Sequence, residues 1–298
     1  MGMQVNTNIA ANNAYRNLSN TQNDLAKSLE KLSSGLRINR AADDAAGLSI
    51  SEGLKAQVNG STVAARNAQD GISVVQTAEG ALTEVHTILQ RMRDLAVQGA
   101  NDSNNVDSRL AIKNEADQLG GELSRISEST NFNGINLFQA GGNATAVPPV
   151  PAGPATLSFQ VGADGSAASS ISVGTVNLAT ALTDVVTLTS GTVVGAAAGF
   201  AVTDKTAAQT TITNIDKAIA NVSTGRSELG ANQNRLESAS RSLSVSKENL
   251  SAAASRITDT DMAEEMVKFT RANILSQAGT AMLAQANQSN QGVLKLLG

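Results

Sequence analysis

The chain has no cysteine, no tryptophan, a single tyrosine and a single histidine, and aromatic residues make up 2% of its 298 positions. Lack of cysteine excludes disulfides and thiolate metal sites, and a chain exported to an oxidising exterior can do without both. Lack of large rings disfavours a globular centre, whereas small residues favour close, extended packing of helices. A net charge of −4 leaves no basic footprint, which argues against a nucleic-acid partner. Membrane-length apolar runs are missing as well. Ala272 to Leu294 is uncharged and long enough, but Asn273, Gln277, Gln285, Asn287, Gln288, Asn290 and Gln291 would be costly in lipid. Met1 to Tyr15 holds neither charge nor apolar run, so no secretory signal peptide is visible.

Heptads dominate what is there. Ile215, Val222, Leu229, Leu236, Leu243, Leu250 and Ile257 recur every seven residues. Ile212, Ile219, Arg226, Gln233, Ser240, Lys247 and Ala254 interleave them, so the steps alternate between three and four. This is the seam of a long helix that lies against other helices. From Thr211 to Ile257 it would be roughly 65–70 Å long. Polar residues on one edge of such a seam cost stability but fix register and partner choice.

The opening segment carries its own heptad of Ala11, Leu18, Leu25 and Leu32, joined by Leu29 and Leu36, with a break expected at Gly35. After the linker Arg37 to Ala42, Asp43 or Asp44 is expected to cap the next helix. That helix shows Leu54, Ser61, Ala68, Val75, Leu82, Leu89 and Ala96 at sevens, with Val58, Ala65, Ile72, Glu79, His86 and Arg93 between. It also carries Gly47, Gly53, Gly60, Gly71 and Gly80, each costing about 1 kcal/mol relative to alanine in an exposed helix. Such a run of glycines makes sense if neighbouring backbones approach closely. A shorter helix follows with Ile112, Ala116, Leu119, Leu123 and Ile126, and Asn133-Gly134 marks a tight turn.

Composition shifts at Gly141. All four prolines fall between Pro148 and Pro154, and from there to Thr203 the only charges are Asp164 and Asp184. Thr156 to Val161 and Ile171 to Leu178 read as strands joined at Gly162–Gly165, and Val185 to Val194 could add another. The Ser/Thr-rich surface of this insertion is either simply polar or a site of O-glycosylation; composition does not choose. Helical periodicity resumes by Thr211. The last helix, Asp259 to Gly298, has one stripe of Val267, Ile274, Leu275, Ala278, Met282, Ala286, Val293 and Leu297. Met262, Met266, Phe269, Leu283 and Leu294 occupy much of its remaining circumference. A helix apolar on two sides needs neighbours on two sides.

The expected fold is mainly α: a long antiparallel helical hairpin, or coiled-coil rod, with a small β-hairpin insertion. No catalytic constellation emerges. His86 reads as a bundle-edge residue, and the adjacent Asp43 and Asp44 do not face each other on a helix. The glycines contain no phosphate-binding pattern. No cofactor, metal or enzymatic activity is expected.

The segments Ser33–Asn39, Ala42–Gly47, Arg66–Ser73, Asn131–Gly134, Leu229–Ala231 with Gln233–Leu236, and Ile274–Ala278 with Met282–Gln288 together resemble bacterial flagellin. The likeness covers residues 4–140 and 205–298, in order. The resemblance implies a filament subunit with an inner-tube domain D0 (1–42 and 258–298). It implies a surrounding D1 domain (43–140 and 205–257) carrying a β-rich insertion over 141–204. Polymerisation and packing in D0 would fall to Leu18, Leu25, Leu32, Leu275, Met282, Leu283, Val293, Leu294 and Leu297. The D1 seam would be Ile215 through Ile257, as above.

The family further implies export through the flagellum's own channel, without a cleaved signal, to the extracellular filament. Its implied partners are copies of itself, the export apparatus and an export chaperone, and the filament cap and hook-associated junction proteins. By the same resemblance Arg91, Leu95 and Glu115 match positions that contact Toll-like receptor 5 in flagellins that activate it. The alternative for these residues is a solvated Arg91 and a Leu95 packed in the bundle. A hook–filament junction protein shares the terminal-helix logic. A coiled-coil signalling module would instead require a membrane anchor and a stable dimer.

Overall fold

The computed structural model describes residues 8–138, 156–185 and 199–297, with side chains as far as residue 288. Two compact units form, Met1–Val58 with Glu248–Gly298, and Asn59–Lys247. The chain is mainly α-helical with small antiparallel hairpins, as its heptads predict.

In the first unit, helix α1 (Ile9–Ser34) starts where the Asn8 side chain accepts a hydrogen bond from the Ala11 amide at 2.9 Å. It ends at Gly35, whose φ of 72° is left-handed and whose N–H donates to Lys31 O. Glycine adopts this conformation without a side-chain penalty, so the expected break is a C-cap. Leu36 then pairs with Asp259 in an isolated antiparallel bridge. Arg37 N donates to Thr258 O, and its guanidinium donates to Ile257 O at 2.7 Å.

Both aspartates of the linker are used. Asp44 accepts from the Gly47 amide at 2.8 Å, capping helix α2 (Ala45–Gly99), while Asp43 accepts from the amides of Asn39 and Arg40. Helix α6 (Met262–Leu297) begins three residues later than periodicity suggests. Asp261 supplies its cap to Ala263 and Glu264, which leaves Asp259 and Thr260 outside the helix. Helices α1 and α6 run antiparallel: Asn8 donates to Ala286 O, and a Cβ on Gly279 would stand 3.1 Å from Leu18 Cδ1.

In the second unit, α2 packs on α3 (Val106–Ser129) and on α5 (Lys205–Thr258). Pairing along α2 and α5 is antiparallel, since Gly71 approaches Leu236, Glu79 pairs with Arg226, and Arg93 pairs with Asp216. On α5, Ile215, Val222, Leu229 and Leu236 are buried, and Leu243, Leu250 and Ile257 are half-buried. Facing them, Ala68, Val75, Leu82, Leu89 and Ala96 of α2 are buried too. On α3, Ile112, Ala116, Leu123 and Ile126 point inward. Helix α5 starts at Lys205, where Asp204 caps it through the Ala207 amide at 2.8 Å.

The glycines of α2 divide into two kinds. A Cβ on Gly60 would meet Ala163, and one on Gly71 would meet Phe159 and Leu236, so close approach explains both. Gly53 and Gly80 have open space around them.

Strands β1 (Asn131–Phe132) and β2 (Ile135–Asn136) form a two-residue hairpin at Asn133-Gly134, both with positive φ. Strands β3 (Thr156–Gln160) and β4 (Ser170–Gly174) pair from Thr156↔Gly174 to Gln160↔Ser170, with a 3-10 turn, Ala167–Ser169, leading into β4. The expected strand to Leu178 is too long. Asn177 accepts from the Thr180 amide and caps a short helix α4 (Leu178–Ala181), which buries Leu178 and Leu182. Local capping thus overrides the alternating pattern. Val185 is a buried turn residue, and the rest of the strand expected over Val185 to Val194 lies outside the described residues.

Candidate assembly surfaces

Helix α6 turns its less apolar side toward α1. Glu265 and Ala272 are its buried residues, with Gly279 in contact with Leu18. Glycine and alanine let the two backbones approach, and that decides which face packs inward. Of the apolar stripe expected from the sequence, Val267, Ile274, Leu275 and Met282 are 62%, 61%, 52% and 67% exposed, whereas Ala286 is half-buried and its carbonyl accepts from Asn8 of α1. Met266, Val267, Thr270, Arg271, Ile274 and Leu275 line an open groove of about 510 Å³ along it. Leu283 is half-buried. Val293, Leu294 and Leu297 belong to α6, but their side chains lie outside the described residues.

Helix α1 uses its heptad inward, with Leu18 buried and Leu25 and Leu32 half-buried. Ile9, Tyr15 and Leu29 remain exposed. Within α6, Lys268 reaches Glu264 at 2.9 Å and the buried Glu265 at 3.7 Å. The hydrogen bond that Lys268 donates to Glu264 raises the Lys268 pKa above its ordinary value. Single apolar residues at a surface need no explanation, but a contiguous apolar stripe marks an interaction site.

In the second unit, Arg91 on α2 grips Glu115 on α3 through Nε at 2.9 Å and Nη2 at 2.6 Å, and both side chains are about half exposed. Leu95, four residues along, is only 2% exposed and belongs to the core. His86 Nε2 lies 2.9 Å from the Gln90 amide nitrogen, while its Nδ1 is buried without a partner. Arg93, in contrast, donates from Nε to Asp216 at 2.6 Å, and that hydrogen bond pushes its pKa further up.

Periodicity missed several positions that hold this unit together. Phe138 and Phe200 are among its largest fully buried side chains, yet they sit in irregular segments where no repeat announces them. Asn136 is buried and donates to Ser127 O and Glu128 O while accepting from Phe138 N. Thr211, at the start of the seam, binds both the amide and the carbonyl of Ala201. Arg109 donates to Thr203 O at 2.8 Å. The only hint in the sequence is residue type, a polar side chain amid apolar neighbours.

Long antiparallel helix pairs with apolar residues of α6 left exposed place the chain among long-helix bundle proteins. The comparisons with known proteins agree. Residues 5–143 match the bacterial flagellin N-terminal helical region, and residues 212–297 match the bacterial flagellin C-terminal helical region. The chain is 48% identical over 295 residues to a flagellin of Halalkalibacterium halodurans, covering 99% of this chain and 100% of the relative. A Bacillus subtilis flagellin is 45% identical over 305 residues, with the same coverage. The flagellar filament 33 kDa core protein of Treponema phagedenis is 41% identical over 302 residues, again across 99% and 100%. The chain belongs to the bacterial flagellin family. It is therefore a structural protein and not an enzyme.

Proposed function

We propose that this chain acts as a flagellar filament subunit by offering the outer face of α6, with the exposed residues of α1, to neighbouring copies. One observation carries the reading: Val267, Ile274, Leu275 and Met282 stay more than half exposed in the single chain. A stripe of that size gains most by burial, at about 25 cal/mol per Å² of apolar surface. Heterologous contacts that do not close into a ring extend into a helical filament. The names of the quoted relatives, flagellins and a filament core protein, favour this role over that of a hook–filament junction protein.

On this reading D0 comprises 1–42 with 258–298, D1 comprises 43–140 with 205–257, and the β-rich insertion of 141–204 belongs to D1. Leu18, Leu25, Leu32 and Leu283 hold α1 to α6. Leu275, Met282, Val293, Leu294 and Leu297 contact other copies. The filament is extracellular, and no helix among the described residues is long and apolar enough to cross a membrane. Delivery would use the flagellar export apparatus with an export chaperone, and elongation would proceed between the hook-associated junction proteins and the filament cap. Removing residues from Val293 onward should abolish polymerisation of the purified chain while the seam of α5 keeps its cooperative melting. Normal filaments from the truncated chain would overturn the proposal.

Arg91 and Glu115 offer a charged, exposed pair to Toll-like receptor 5, with Leu95 contributing through packing beneath the helix surface. Arginine is a common hot-spot anchor. Arg91→Ala should lower receptor signalling in a reporter assay more than Lys55→Ala does; equal effects would remove the assignment.

A further inference from the structure

We propose that the exposed methionines of α6 are an oxidation site that decides whether a subunit can join the filament. The chain has no cysteine, so its six methionines hold all of its sulfur. Four of the six are described, and they fall into two classes. Met92 lies fully inside the helical core at 0% exposure. Met262, Met266 and Met282 are 47%, 51% and 67% exposed, all on α6. Met266 lines the open groove with Val267, Ile274 and Leu275, and Met282 lies about two helical turns beyond Leu275. Among the described residues, the sulfurs a solute can reach are thus all on α6, and Met266 sits in its exposed apolar groove.

A peroxide supplies the chemistry. The thioether sulfur attacks one oxygen of hydrogen peroxide, a sulfur–oxygen bond forms as the oxygen–oxygen bond breaks, and the other oxygen leaves as water. Sulfur loses two electrons and peroxide gains them. The product is a polar, chiral sulfoxide that methionine sulfoxide reductases return to the thioether. Burying such a group without a hydrogen-bond partner is costly: beside Met266 the side chains of Val267, Ile274 and Leu275 carry no donor, the Thr270 hydroxyl is spent on Met266 O, and Arg271 is the remaining donor of the groove. An oxidised subunit is therefore rejected by the surface that would bury it, whereas a subunit already in the filament has its sulfurs shielded. This inference rests on the assembly reading above.

The test uses the full-length chain and seeded elongation followed by light scattering and electron microscopy. Dilute hydrogen peroxide should convert Met262, Met266 and Met282 to sulfoxides well ahead of Met92 in a peptide map, with loss of elongation. Treatment with the two sulfoxide reductases should restore elongation. Whatever elongation rate a chain carrying Met262→Leu, Met266→Leu and Met282→Leu has before peroxide, it should keep that rate afterwards, while the parent loses its own. Oxidised chain that elongates like the untreated one, or a loss that the reductases do not reverse, overturns the inference. Untreated chain that fails to elongate overturns the assembly reading instead, so the two failures are told apart.

Discussion

Gly71 on α2 and Leu236 on α5 meet so closely that a Cβ on the glycine would stand 3.2 Å from Leu236 Cδ1 and 3.1 Å from the Phe159 ring. The heptad leucine of one helix fills the space that the other helix vacates by carrying no side chain. Gly71→Ala gains about 1 kcal/mol of helix propensity. Forcing a methyl into a packed core costs typically about 1–3 kcal/mol. The variant should therefore melt lower than the parent. Gly80→Ala, with nothing within 4 Å of its Cβ, should melt higher. Thermal unfolding by circular dichroism checks both signs.

The seam can be graded by burial. Leu236 is fully buried, so Leu236→Ala should cost about 2–5 kcal/mol. Leu243, seven residues on along the seam, is half-buried, and Leu243→Ala should cost clearly less. Denaturant titration of the unassembled chain would reveal a seam of uniform strength if the two losses proved alike.

Asn136 offers a test away from any repeat. Asn136→Ala leaves the Phe138 amide and two carbonyls at the end of α3 without their partner. A buried unsatisfied group costs about 1–3 kcal/mol. Amide exchange at Phe138 should speed up, and a protection factor unchanged from the parent would contradict the role given to this side chain.

The linker after α1 should respond to acid. Hydrogen bonds from the amides of Arg40 and then Asn39 hold the Asp43 carboxyl below its ordinary pKa. A depressed folded-state pKa means the stabilisation is present above the unfolded carboxylate value and is lost as pH falls through the lower, folded one. Amide exchange at Asn39 and Arg40 should rise over that acid window and stay flat above it. In Asp43→Asn the step should vanish; its persistence would point to another group.

Much of the fold is legible in the residues alone. Sevens in Ile215 to Leu236 and in Ala68 to Ala96 require long helices with facing seams, because a helix repeats its faces nearly every seven residues. Asp44 begins its helix by satisfying a free amide, and Gly35 ends one by adopting a left-handed turn. These are local effects, so sequence suffices.

Two matters needed the tertiary structure. Periodicity finds an apolar stripe on α6 but cannot say which side α1 covers; close approach at Gly279 and Ala272 settles that and leaves Ile274 and Met282 outside. Nor can it reveal that Arg91 binds Glu115 while Leu95 is buried, since that depends on how α3 folds back on α2. Sequence determined which surfaces exist, through spacing along single helices. Only packing in three dimensions decided which are spent inside the chain and which are left for others, because that choice depends on contacts between residues far apart in order.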